Sequence, residues 1–186
     1  MKEKVRAFIA IPLPQAVKEA LNEVSVQLRV QFSNGGVRWV QPDKMHLTVR
    51  FLGDTAVSQL SAIITQLDHL QPKPIRLQLH EVGCFPNKKS PRVLWVGLKG
   101  DMAQLVQLKQ TVDQCLFSLG WPLETKKYSP HLTVGRIKDS REVANVRWKG
   151  EVEQVHFGVT AVHLIQSTLQ SNGPNYKTLH AVKLGD

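Results

Sequence analysis

The tetrapeptide His-Leu-Thr-Val occurs twice in this chain, first at residues 46–49 and again at residues 131–134. Polar and apolar residues alternate in both copies, which predicts strands with Leu and Val on one face and His and Thr on the other. An arginine follows each copy closely, Arg50 in the first and Arg136 in the second. The repeat therefore predicts a duplicated unit whose two similar lobes contribute one such strand each.

Helical and strand patterns are interspersed along the rest of the chain. Apolar residues at three- and four-residue steps predict helices at 14–31, 56–70 and 102–119. Strands are predicted at 5–11, 45–52, 75–83, 92–98, 130–137, 152–157, 162–169 and 178–184. Several predicted strands follow one another without a helix between them, which favours an α+β fold with mainly antiparallel sheets. No long linker is evident, so we expect one bilobal domain over 1–186, with helices outside and a central groove.

Composition narrows the class of partner. Lys and Arg number 24 against 15 Asp and Glu, for a net charge of +9, which favours a polyanion such as nucleic acid. No apolar run approaches the roughly 20 residues that cross a bilayer, so no membrane partner is expected. Cys84 and Cys115 form no Cys-x-x-Cys motif, and we interpret them as reduced thiols in a cytoplasmic protein.

Two histidines on facing strands suit the hydrolysis of a phosphodiester. One imidazole can take a proton from water while the other protonates the leaving oxygen, because the ordinary histidine pKa lies near neutrality. The hydroxyls of Thr48 and Thr133, together with Arg136, would bind the phosphate oxygens. No metal is then required, and the other histidines form no zinc-binding motif. A chance repeat carrying structural histidines stays open as an alternative.

Longer stretches of the sequence resemble a known family, the 2H phosphoesterases. The segments His46–Gly53 and Ser129–Arg136 match the two motifs of that family, and the matching opening strand is Arg6–Ile11. Further matching segments are Val82–Asn87, Arg92–Trp95, Ser167–Leu169 and Gly173–Tyr176. Within the superfamily, the sequence is most similar to the RNA 2',3'-cyclic phosphodiesterases, once called 2'-5' RNA ligases.

The resemblance implies an enzyme that opens the 2',3'-cyclic phosphate at an RNA end and leaves a 2'-phosphomonoester. It implies that His46 is the proton donor to the leaving 3'-oxygen and that His131 is the proton acceptor from water. Run in reverse on a 5'-hydroxyl RNA, the same site would form a 2'-5' bond without ATP. Neither a cofactor nor a metal is expected, and we expect a monomer.

Phe51 and Tyr128 are weaker candidates for RNA contacts, since aromatic rings stack on unpaired bases. Packing in the core is the competing interpretation for Phe51. Two other functions stay open on sequence grounds. One is a non-catalytic RNA-binding module, against which the matched acid and base argue. The other is a phosphodiesterase of small cyclic nucleotides, against which the net charge argues modestly.

Overall fold

The computed structural model describes residues 3–32, 35–143, 146–171 and 173–184, apart from the side chain of residue 142. The helices are α1 (Gln15–Gln31), α2 (Leu60–Asp68) and α3 (Met102–Ser118). The strands are β1 (Lys4–Pro12), β2 (Val37–Trp39), β3 (His46–Ala56), β4 (Arg76–Phe85), β5 (Val93–Gly100), β6 (Leu132–Ile137), β7 (His156–Gly158), β8 (Ala161–Gln170) and β9 (Gly173–Lys183). The α+β class predicted from the sequence is confirmed.

The strands form one curled antiparallel sheet in the order β7-β4-β5-β6-β3-β1-β8-β9, and β2 pairs with β6 beside this path. The two strands that carry the repeats, β3 and β6, are neighbours in the middle. They are joined by the single residue pair Leu47 and Leu132, whereas β1 and β3 pair along their whole length. Two groups of strands therefore meet at one point between the two repeats, as two lobes would.

The helices cover one face of the sheet. On α1 the residues Val17, Leu21, Val24 and Leu28 are buried at three- and four-residue steps, which is the spacing of one helix face. This helix contacts β6, while α3 contacts β3. Each motif strand thus has its Leu and Val residues in the main core. The opposite face of the sheet is here called the open face, and it carries the polar residues of the repeats.

Several element boundaries differ from the predictions; for example, β3 continues to Ala56 and β9 begins at Gly173. The second helix begins at Leu60, because Val57–Gln59 forms a separate 3-10 turn. The strand predicted at 152–157 is reduced to His156–Gly158. β2 was not predicted, because three residues are too short to show an alternating pattern. Among the described residues, no helix combines the length and apolar character needed to cross a membrane.

Candidate active site

Both motif strands contain a β-bulge at the last residue of the repeat. In β3, Thr48 pairs with Ala10 and Arg50 pairs with Ile9, so Val49 has no partner in β1. The same irregularity recurs in β6 at Val134, whose neighbours at 133 and 135 pair with consecutive residues of β5. A bulge inserts one extra residue and re-aims the side chains that follow it.

The bulges decide which residues after each repeat reach the open face. Strict alternation would put Arg50 on the same face as His46, but Arg50 is only 5% exposed. The corresponding residue of β6 is Gly135, which is also buried. The next residue is exposed in both strands, Phe51 in β3 and Arg136 in β6. The expectation that Arg50 shares the face of His46 is therefore wrong, and Phe51 is the structural counterpart of Arg136.

His46 lies among aromatic rings on the open face. Its ring centroid is 4.8 Å from that of Phe8 and 5.3 Å from that of Tyr176. Nδ1 lies 2.8 Å from the backbone oxygen of Lys44. Because a carbonyl oxygen only accepts hydrogen bonds, Nδ1 carries the proton, and Nε2 is left to exchange a proton with a ligand.

His131 has the same local arrangement in the second repeat. Its Nδ1 lies 2.8 Å from the backbone oxygen of Ser129, again two residues earlier in the chain. Its ring meets the Phe85 ring edge-on, with centroids 4.9 Å apart. The two repeats thus fix the same tautomer of both histidines, with Nδ1 protonated and Nε2 free.

The register of β3 and β6 brings the four polar motif residues together. Leu47 pairs with Leu132, so His46 and Thr48 flank one member of this pair and His131 and Thr133 flank the other. The charge of His131 contributes to the lowered pKa of His46, so the two rings lie within electrostatic reach of each other.

Burial and positive charge lower the pKa of both histidines. For His46, burial is the largest cause, and the charges of Arg136 and His131 act in the same direction against the raising effect of the Lys44 contact. For His131, burial again comes first, the hydrogen bond to Ser129 raises its pKa, and Arg136 lowers it. Arg136 is thus close enough to act on both rings, where it is available to an anion bound between them.

Tyr128 is half-buried beneath the first motif strand. Its hydroxyl donates a hydrogen bond to the backbone oxygen of Thr48, 2.9 Å away, and Lys109 Nζ lies 5.9 Å from its ring centroid. Burial raises the pKa of Tyr128 well above its ordinary value. These contacts connect the segment before His131 to β3. They favour a positioning role over the stacking on RNA that was predicted for this residue.

The sequence patterns did not identify the rings around the histidines. Phe8 and Tyr176 come from β1 and β9, and Phe85 ends β4. Phe85 also packs on Trp95, with ring centroids 5.1 Å apart. Trp95 in turn lies against Gly83, where an added Cβ would be 2.1 Å from the indole ring. Only the pairing of strands distant in sequence reveals these neighbours, so no local signal was available.

No group of three or more His, Cys, Asp or Glu side chains within the described part of the chain is arranged to hold a metal ion.

The chain is similar to a known family along most of its length. The family model described as "LigT like Phosphoesterase" matches residues 11–95 and again residues 96–176. Each match contains one of the two His-Leu-Thr-Val repeats.

Two relatives with curated names carry the same name. The RNA 2',3'-cyclic phosphodiesterase of Methanocaldococcus jannaschii is 34% identical over 179 residues, which cover 94% of this chain and 98% of that protein. The Aeropyrum pernix protein of the same name is 34% identical over 84% of this chain and 93% of its own length.

Solved structures share the fold of this chain. The protein TT0787 of Thermus thermophilus superposes with a TM-score of 0.85 at 27% identity, covering 96% of this chain and 97% of that one. Escherichia coli LigT in complex with 3'-AMP has a TM-score of 0.81 over 99% of this chain and 100% of its own. At 23% identity, LigT supports the fold alone.

Proposed function

This chain belongs to the LigT-like phosphoesterase family, and we propose that it hydrolyses the 2',3'-cyclic phosphate at the end of an RNA. The relatives named RNA 2',3'-cyclic phosphodiesterase match nearly the whole chain. The observation that supports the proposal is the single strand contact between Leu47 and Leu132, the central residues of the two His-Leu-Thr segments. We propose 1–186 as one bilobal catalytic unit.

His131 acts as the base and His46 as the acid in this proposal. Nε2 of His131 takes a proton from water as the water oxygen forms a bond to phosphorus. The bond from phosphorus to the 3'-oxygen breaks, and that oxygen receives the Nε2 proton of His46, which enters the reaction as an imidazolium protonated on both nitrogens. The product is a 2'-phosphomonoester, and proton exchange with solvent restores both rings. A lowered pKa keeps the base neutral, while the acid reacts through its protonated fraction, which is a stronger proton donor than an ordinary imidazolium.

The phosphate oxygens are bound by Thr48, Thr133 and Arg136 in the same proposal. A guanidinium forms charge-assisted hydrogen bonds to phosphate, and hydroxyls add neutral ones. Negative charge grows on the non-bridging oxygens in the transition state, so these donors contribute most there. The positive charge comes from the protein itself, which removes the need for a metal or another cofactor.

Phe51 is the side chain that we propose for contact with the terminal base. It is 60% exposed on the open face, and its ring lies 6.0 Å from that of Phe8, centroid to centroid. An exposed ring next to the phosphate site can stack on a base of any identity.

Reversal of the reaction, with a 5'-hydroxyl RNA in place of water, would form a 2'-5' bond without ATP. Monomeric state and cytoplasmic location stay predictions.

The test is analysis of the product from an RNA that ends in a 2',3'-cyclic phosphate, with EDTA present throughout. We expect a single product with a 2'-phosphate, because the 3'-oxygen is the proposed leaving group. A 3'-phosphate product would reverse the assignment of the leaving oxygen. Loss of turnover in EDTA would contradict the metal-free mechanism. RNA binding without any hydrolysis would favour the non-catalytic alternative.

A further inference from the structure

Two arginines lie directly opposite each other at the edge of the proposed site. Arg38 of β2 is the cross-strand partner of Arg136 of β6. Such partners point to the same face of a sheet, with Cβ atoms about 5 Å apart. Both arginines are exposed. The neighbours of Arg38 in β2 face the other way: Val37 is buried, and Trp39 packs against Arg29 of α1, whose guanidinium carbon is 5.6 Å from the ring centroid. Arg38 therefore extends the positive charge of Arg136 along the open face.

Among the residues that the structure describes, neither arginine of this pair forms a salt bridge. Every ion pair there involves other side chains. Like charges in directly opposite positions destabilise a pair of strands, so the arrangement costs stability unless an anion binds. Two other basic side chains, Lys88 and Arg92, are already engaged by other groups. Lys88 Nζ lies 5.1 Å from the ring centroid of Trp148, and the charge of Arg92 acts on Asp139.

We infer that Arg38 binds a second phosphate of the substrate, the phosphodiester on the 5' side of the terminal nucleotide. The inference rests on the proposed function, in which Arg136 contacts the cyclic phosphate. Because a cyclic phosphate ends the chain at its 3' side, every other phosphate of the RNA lies on the 5' side. The guanidinium beside Arg136 is thus available to the phosphate next in the strand. This contact selects oligonucleotides over cyclic mononucleotides, which lack that phosphate.

The selectivity is measurable as a ratio of kcat/KM values. The substrates are ApA with a terminal 2',3'-cyclic phosphate and adenosine 2',3'-cyclic phosphate with a free 5'-hydroxyl. In Arg38→Gln, we expect the ratio of dinucleotide to mononucleotide kcat/KM to fall about tenfold, the size of one charge-assisted hydrogen bond. A dinucleotide with a neutral methylphosphonate linkage should show the low ratio in the wild type already, with no further fall in Arg38→Gln.

Arg29→Gln is the matched control, because it removes the same charge from the other side of β2. Its ratio should equal that of the wild type, and thermal unfolding of both variants shows whether each is folded. Arg38→Lys should recover part of the ratio, because it restores the charge without the bidentate geometry. An unchanged ratio in Arg38→Gln overturns the inference, whether both rates fall together or neither falls.

A binding measurement separates this inference from the proposed function. The probe is a fluorescent ApA with a 2'-phosphate end, and its Kd is measured at several salt concentrations. Loss of one phosphate contact should reduce the slope of log Kd against log salt by about 0.7 in Arg38→Gln, but not in Arg29→Gln. This result needs no turnover, so it stands even if hydrolysis is absent. Equal slopes in the wild type and Arg38→Gln contradict the second phosphate site.

Discussion

The two motif strands are alike through the repeat and its bulge, and they differ at the two positions that follow. The first position is Arg50 in β3 and Gly135 in β6, and both are buried. The second is Phe51 in β3 and Arg136 in β6, and both are exposed. The shared part gives the site a symmetric pair of histidines. The differing part supplies an aromatic ring from β3 and a cation from β6, so the two halves of the site differ chemically.

The surroundings of the two histidines differ in the same way. His46 contacts Phe8 and Tyr176, whereas His131 has the edge contact with Phe85. More apolar surface around an imidazole favours its neutral form and makes the protonated form a stronger acid. The protonated form of His46 is therefore less populated but a stronger proton donor than that of an exposed imidazole. Three predictions test whether the asymmetry is functional.

The largest effect is expected from removing either histidine. His46→Ala and His131→Ala should each lower kcat by about 10²–10⁴-fold, the usual contribution of a general acid or base. The measurement is hydrolysis of a 2',3'-cyclic nucleotide in EDTA, with circular dichroism to confirm folding. Near wild-type turnover in either folded variant would contradict the paired mechanism.

A leaving-group comparison separates the two roles within the same variants. 4-Nitrophenolate leaves without being protonated, so a 4-nitrophenyl phosphodiester needs no general acid. The loss in His46→Ala should therefore be smaller on this substrate than on the cyclic phosphate, while the loss in His131→Ala should be similar on both. The opposite pattern would exchange the roles of the two residues.

Arg136→Gln is expected to have the next largest effect. Loss of a charge that stabilises the transition state should reduce kcat/KM about 100-fold. Burial lowers the pKa of both histidines, and the charge of Arg136 lowers them further. Without that charge the pKa values of both histidines rise. The profile of kcat/KM against pH should be bell-shaped, because one histidine must be neutral and the other protonated, and both of its limbs should move to higher pH in Arg136→Gln.

Phe51→Leu is the control for this shift, because residue 51 holds the equivalent position in β3 and carries no charge. It should weaken substrate binding and leave both limbs of the profile in place. If the limbs also stay in place in Arg136→Gln, the guanidinium does not act on the imidazoles. Its role would then be confined to contact with the substrate.

The repeat predicted the histidine pair and the duplicated fold, because both depend on local alternation. It did not predict which face of the sheet the residues after Thr48 occupy. Alternation puts Arg50 on the side of His46, and only pairing with β1 shows that Val49 is an extra residue. Bulges are set by the neighbouring strand, so a single segment of sequence does not reveal them. For the same reason, the contact between His46 and Tyr176 joins segments too distant to be linked by any local pattern.

The buried position of Arg50 makes the last prediction one of stability more than of activity. Arg50 Nη2 donates a hydrogen bond to the Pro122 oxygen over 2.6 Å, and Nη1 lies 2.8 Å from Glu124 Oε1. Nε is 3.6 Å from Asp113, and Lys109 pairs with both carboxylates. Removing the guanidinium leaves those carboxylates with one cation where there were two.

Arg50→Met should therefore lower the free energy of unfolding by about 2–3 kcal/mol. This is below the 3–5 kcal/mol typical of a broken buried pair, because the Glu124 side chain is 39% exposed and water screens part of the interaction. Urea unfolding measures the change, and Arg29→Met is the control at an exposed arginine. Turnover should fall far less than in Arg136→Gln. Wild-type stability combined with a loss of turnover as large as in Arg136→Gln would mean that Arg50 reaches the phosphate, contrary to the bulge at Val49.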